Sequence, residues 1–227
     1  MAGRAIPVSG TRGRGPNAGE PADLHASHSA LANAIFWLKS RLLIARRLAS
    51  NTLTLESLRR YRRLGALPAG ASQLALDEHP VYTARDPRER ELELGKVQNL
   101  RVAAALVDGI VLEPGETFSF WAAAGRPGRS KGYVIGRELR QGCMIPTIGG
   151  GICQLTNALS RAAHAAGMEI VERHSHTIHP PGFFIDDTTD ATVFWNYIDF
   201  RFRSPVRLRI GARLTESTLA VRLDALP

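Results

Sequence analysis

Cysteine is scarce in this chain: 227 residues hold two, Cys143 and Cys153. That excludes a disulfide-scaffolded fold and leaves free thiols, a single disulfide or part of a metal site. Long apolar runs are missing too. The most apolar early run, Ala30 to Leu38, is broken by Asn33, and a membrane span needs about 20 apolar residues. The first residues, MAGRAIPVSGTRGRG, contain no apolar stretch of the secretory type. A cytoplasmic protein is the expectation. Acidic residues are nearly absent between Lys39 and Arg63, where eight basic residues face Glu56 alone. This segment carries most of the net charge of +8. Tyr61 is its only aromatic residue. No nucleic-acid-binding motif accompanies it, so no nucleic-acid partner is expected.

What remains is ordinary globular composition, 44% hydrophobic and 22% charged, in a chain long enough to bury a core. Residues 1–28 read as a disordered basic N-terminus, poor in groups to bury. Residues 29–94 read as a helical basic region. Within it, Leu31, Ile35, Leu38, Leu42 and Ala45 recur at three- and four-residue steps. The first reading of this helix is packing on the main domain. The second is peripheral contact of residues 39–63 with a membrane surface. A loop is expected from Gly65 to Pro87, and a helix from Arg90 to Val107 with Leu94, Val97, Leu100, Ala104 and Val107 inward.

Residues 95–227 read as an α+β domain, a mostly antiparallel sheet packed around a central helix that begins near Cys153. Thr117–Trp121, Tyr133–Arg140, Glu169–Glu172, Ala191–Arg203, Val206–Ile210 and Leu219–Leu223 are the expected strands. Pro146 to Gly151 reads as a turn cluster.

Three consecutive glycines, Gly149, Gly150 and Gly151, precede Ile152-Cys153-Gln154. Each glycine loses more backbone entropy on folding than any other residue. Such a run is useful where the backbone bends sharply or a second group must come close. A helical pattern starts at once, which sets Cys153 at a helix N-terminus. Unpaired N–H groups there favour a thiolate and an oxyanion. A thiol nucleophile needs a base and a group that orients the base. His174 and His176 lie downstream, then His179, then Asp190. Spacing alone leaves the choice between His174 and His176 open. Each feature also has a plain structural reading: buried cysteine, surface histidine, simple turn. Zinc is a weaker alternative, because Cys143, Cys153, His174, His176 and His179 lack the usual paired spacing. No metal or other cofactor is expected.

These segments resemble the VanW family: LEPGETFSFW (Leu112–Trp121), GYVIG (Gly132–Gly136), GGGICQLTNAL (Gly149–Leu159), ERHSH (Glu172–His176) and TDATVFWNYIDFRF (Thr189–Phe202). They span roughly Asn99 to Leu223, in the family's order. The resemblance implies a cell-envelope protein connected with glycopeptide resistance. Some secreted members are linked to peptidoglycan cross-linking of the L,D-transpeptidase type. Carried over, Cys153 is the nucleophile, His176 the base and Asp190 the acid. Gln154 and Arg173 support them, with His174 and the three glycines lining the substrate site. The implied partner is a cell-wall precursor or another acyl substrate.

Overall fold

The computed structural model describes residues 29–53, 60–84, 86–140, 143–176, 186 and 188–227. The expected disorder of residues 1–28 therefore falls outside the described residues.

The first described element is helix α1 (Ala30–Leu53). Strands β1 (Arg62–Arg63) and β2 (Ser72–Pro80) follow, then helix α2 (Arg90–Val107) and strand β3 (Ile110–Leu112). Strand β4 (Thr117–Ser119) runs directly into the short helix α3 (Phe120–Ala124). The hairpin β5 (Ile135–Arg140) and β6 (Cys143–Ile148) precedes the central helix α4 (Cys153–Ala165). Strands β7 (Glu169–Glu172), β8 (Arg201–Arg203), β9 (Leu208–Leu214) and β10 (Thr218–Ala225) complete the chain.

Every described strand pairing is antiparallel. A five-stranded sheet runs β1-β3-β9-β10-β2, and a three-stranded sheet runs β4-β8-β7. Helices α2 and α4 pack on the larger sheet and on each other. This is the expected α+β arrangement around the helix that starts at Cys153. Leu100, Leu155, Leu159, Leu208, Ile210, Phe118, Phe120, Phe200 and Phe202 are fully buried in one core. Each such side chain contributes about 1.5–3 kcal/mol relative to exposure.

Helix α2 spans Arg90 to Val107 as its periodicity requires, but its buried face is partly ionic. Leu94 is 53% exposed, while Glu93, Lys96 and Asn99 are buried. Buried charges persist only when paired. Here Lys96 Nζ lies 2.9 Å from Glu93 Oε1, and Arg137 lies 2.6 Å from Glu89 and 2.8 Å from Glu93.

The expected loop over Gly65–Pro87 contains β2, eight of whose residues pair with β10. Its apolar pattern is inverted, which hides the strand. Leu74 and Leu76 are exposed, whereas Ala75 is buried and Asp77 meets Arg161 of α4 at 2.8 Å. Pairing partners, not local propensity, set this edge strand. Of the expected turn cluster Pro146–Gly151, the first half lies in strand β6, with Pro146 opposite Arg137, and the turn begins at Gly149. Thr117–Trp121 ends as strand at Ser119, because Ser119 Oγ caps α3 by accepting from Ala122 N. The expected long strand at Ala191–Arg203 is strand only at Arg201–Arg203. Before it, Phe194 and Ile198 close a tight loop, with Tyr197 N and Ile198 N donating to the Phe194 carbonyl.

Candidate active site

The glycine turn is held by its close neighbours. A Cβ on Gly150 would stand 2.4 Å from the Gly136 carbonyl oxygen. One on Gly151 would stand 2.0 Å from Lys96 Cγ, and Gly151 has φ +94°. Gly149, with φ +82°, donates its N–H to the Val134 carbonyl at 3.0 Å. Asn99 completes the clamp: its Nδ2 donates to the carbonyls of Gly150 (2.9 Å) and Val134 (3.0 Å), and its Oδ1 accepts from Val134 N. The ionic face of α2 therefore presses against the turn that leads into α4. Burial lowers the Lys96 ammonium to about 8, partly offset by the Glu93 carboxylate.

Cys153 is the first residue of α4 and is partly buried. Its Sγ lies 3.5 Å from Thr192 Oγ1 and 3.8 Å from the Val193 carbonyl. The Gln154, Leu155 and Thr156 N–H groups turn back to Gly151 and Ile152. Among the described residues, nothing accepts from the N–H of Cys153. That donor sits at the positive end of the helix dipole, where an oxyanion is stabilised.

His176 is the histidine that meets the sulfur. Its ring is hydrogen-bonded to Asp190 and lies close enough to Cys153 for the sulfur to act on its titration. Nδ1 lies 2.9 Å from both Asp190 carboxylate oxygens, which leaves Nε2 for the thiol. Asp190 Oδ2 also accepts the His176 N–H at 2.6 Å. Burial alone would push the imidazole down. The hydrogen bond to Asp190, with the influence of Cys153, outweighs it and lifts His176 to about 10. Burial would raise the Asp190 carboxyl, but its bonds to His176 and the imidazolium charge hold it below the usual carboxylate range. The site is thus built to keep an imidazolium against the Asp190 carboxylate.

Helix α4 carries Cys153 and also fixes the segment that holds Asp190. Thr156 Oγ1 donates to the Ala191 carbonyl at 2.5 Å, and Asn157 Oδ1 accepts from Ala191 N at 2.6 Å. Arg173 donates to the Asp190 carbonyl at 2.7 Å and to Ser175 Oγ at 3.0 Å. Gln154 donates to the Pro80 carbonyl at 2.7 Å, tying the start of α4 to the end of β2. His174 is 49% exposed on its side chain and turns to Glu172 at 3.4 Å. The residues brought together are thus Cys153, His176 and Asp190, with Arg173 bracing the acid. Gln154 and His174 point to other partners.

Thr156, Asn157, Thr192, Asn99 and Lys96 have no signal in the chain's spacing. The only hint is that Thr156 and Asn157 fall one helical turn beyond Cys153. Among the described residues no group of three or more His, Cys, Asp or Glu side chains could hold a metal ion. The part of the zinc and disulfide readings that needs the Cys143 side chain or His179 falls outside the described residues.

This chain belongs to the family of VanW-like proteins, whose sequence pattern matches residues 95–223, more than half of it. An uncharacterised protein of Bacillus subtilis (strain 168), YoaR, is 40% identical over 106 residues, covering 47% of this chain and 34% of that protein. The vancomycin B-type resistance protein VanW of Enterococcus faecalis (strain ATCC 700802 / V583) is 31% identical over 112 residues, covering 48% of this chain and 41% of that protein. The shared region is thus well under half of each relative. No solved structure matches significantly. Among the described residues, no helix is long and apolar enough to cross a membrane.

Proposed function

We propose that this protein is a cysteine acyl transferase or amidase acting on peptidoglycan or its precursors, with thioester chemistry of the L,D-transpeptidase kind at Cys153. One observation carries the reading: Cys153 at the start of α4 lies beside His176, whose ring is in turn held by Asp190. The vancomycin-resistance name of the Enterococcus relative supports a wall-related substrate.

In the proposed reaction the Cys153 sulfur, as thiolate, attacks the carbonyl carbon of an amide. The Cys153 N–H donates to the oxygen that gains charge. The C–N bond breaks, and the His176 imidazolium gives its proton to the departing amine. A thioester remains on Cys153. An incoming amine (transfer) or water (hydrolysis) then attacks it while His176 takes a proton back. Asp190 holds the imidazole so that Nε2 faces the sulfur. A cytoplasmic site of action fits this proposal if the substrate is a precursor not yet exported.

A second reading has its own support. The glycine turn and the uncommitted N–H of Cys153 form the kind of helix N-terminus that holds an anionic group. On that reading the protein binds wall precursors without turning them over. The test is turnover of stem-peptide amides, followed chromatographically with folded wild-type and Cys153→Ser proteins. Release or exchange of the amine by wild type alone supports acyl transfer. Equal precursor binding by both proteins, with no turnover by either, supports the binding reading.

A further inference from the structure

Among the described residues, helix α1 touches the domain along one stripe. Phe36 meets Phe194 edge-on at 5.5 Å, Ser40 Oγ lies 3.5 Å from Tyr197 OH, and Arg47 pairs with Glu172. Positions 36, 40 and 47, with half-buried Ile44 between them, follow helical spacing. The opposite stripe is formed by Leu31, Ile35, Leu38 and Leu42, again at three- and four-residue steps. It points away from the domain: Leu31 is 70% exposed, Leu38 75% and Leu42 72%. Exposed apolar stripes of this size mark an interaction surface.

The charges beside that stripe select the partner. The sequence of α1, ALANAIFWLKSRLLIARRLASNTL, contains no acidic residue. Lys39 and Arg46 flank the stripe on one side and Arg41 on the other, and all three are exposed. Arg47 is the one basic residue of the helix turned inward, onto Glu172. Half-exposed Trp37 lies near the Arg41 edge. An apolar stripe bordered by cations, with an aromatic at the margin, matches a membrane interface: acyl chains take the leucines and anionic headgroups take the basic side chains. A protein partner would need a complementary apolar groove with an acidic rim. A lipid surface supplies both over any area. The helix holds too many cations to span, so it lies in the plane of the surface.

We propose that α1 docks the protein on an anionic phospholipid surface through Leu31, Ile35, Leu38 and Leu42, with Lys39, Arg41 and Arg46 at the headgroups. The inner stripe sets α1 beside the candidate site: Phe194 follows Thr192 and Val193, which touch Cys153. Glu172, the partner of Arg47, lies four residues before His176. The docking does not depend on the proposed acyl transfer, and its test reads binding alone.

The experiment is vesicle flotation of the full chain. The protein floats with mixed phosphatidylglycerol–phosphatidylcholine vesicles, fails to float with phosphatidylcholine alone, and is released by raised salt. Changing Lys39, Arg41 and Arg46 together to Gln lowers the partition roughly a hundredfold, about fivefold per charge. Changing Leu38 and Leu42 to Gln also abolishes flotation. All five side chains are exposed, so circular dichroism melts of both variants match wild type. Leu94→Gln, an exposed leucine on α2, leaves flotation unchanged. Equal flotation with both vesicle types, flotation with neither, or unaltered binding of the two α1 variants overturns the proposal. So does a wild-type dimer in solution that Leu38→Gln with Leu42→Gln dissociates, since a second copy would then cover the stripe.

Discussion

Nδ1 of His176 lies 2.9 Å from both carboxylate oxygens of Asp190, and the same carboxylate accepts the backbone N–H of His176. One buried acid thereby fixes the ring's position, its rotation and the nitrogen it offers to Cys153. Asp190 is itself fixed by the α4 residues Thr156 and Asn157 through Ala191. Cys153 and Asp190 are therefore tied to the same helix.

Removing the base should slow the thiol. With His176→Ala, alkylation of Cys153 by iodoacetamide at neutral pH falls on the order of tenfold or more, because the imidazolium that balances the thiolate is gone. Peptide mass spectrometry reads the rate, with Cys143 as internal reference. An unchanged rate in the variant would mean that His176 does not act on the sulfur.

Removing the acid should cost stability as well as activity. Asp190 is 2% exposed and lies against an imidazolium. Asp190→Asn leaves that cation without its counter-charge and lowers folding stability by about 3 kcal/mol. Urea denaturation measures it. A loss under about 0.5 kcal/mol, the range of an ordinary surface change, would show that the pair carries no such coupling.

The fold's main pieces were legible because they obey simple periodicities. Helix α2, helix α4 and strand β7 lie where spacing puts them. So was the place of Cys153 at a helix start, since the glycine run leads directly into the α4 pattern. Strand β2 was not legible, because its leucines face outward and Asp77 faces inward. The loop before β8 was not, because Val193, Phe194, Trp195 and Tyr197 have strand propensity yet serve packing and a tight turn. Spacing also left His174 and His176 equivalent. Tertiary position separates them: His174 is itself exposed and meets Glu172, while His176 meets buried Asp190. Polar residues on α2 offered no warning that they would clamp the glycine turn, since a helix's buried charges depend on partners elsewhere in the chain.

The pH dependence of stability has a definite sign. Folding raises His176 from about 6.5 to about 10. Its contribution is fully present below about pH 6.5 and is lost as pH rises toward about 10. The difference in urea midpoint between wild type and His176→Gln should shrink steadily over that window. A difference that stays constant or widens would contradict the imidazolium assignment.

The glycine turn should tolerate no side chain at its last position. Gly151→Ala places a methyl group against Lys96 and requires φ near +94° from a residue that disfavours it. The combined strain is about 2–3 kcal/mol, read as a lower melting temperature. Alkylation of Cys153 should slow in parallel, because the start of α4 shifts. A stable Gly151→Ala protein with normal Cys153 reactivity would show that the turn yields freely.

The most direct test of the central claim is to trap the acyl group. Folded protein is incubated with a stem-peptide amide donor, quenched in acid, and mapped by mass spectrometry. The account predicts an acyl adduct on the Cys153 peptide that hydroxylamine removes, greatly reduced in His176→Ala and absent in Cys153→Ala. An adduct elsewhere, or turnover of donor that survives Cys153→Ala, would contradict it.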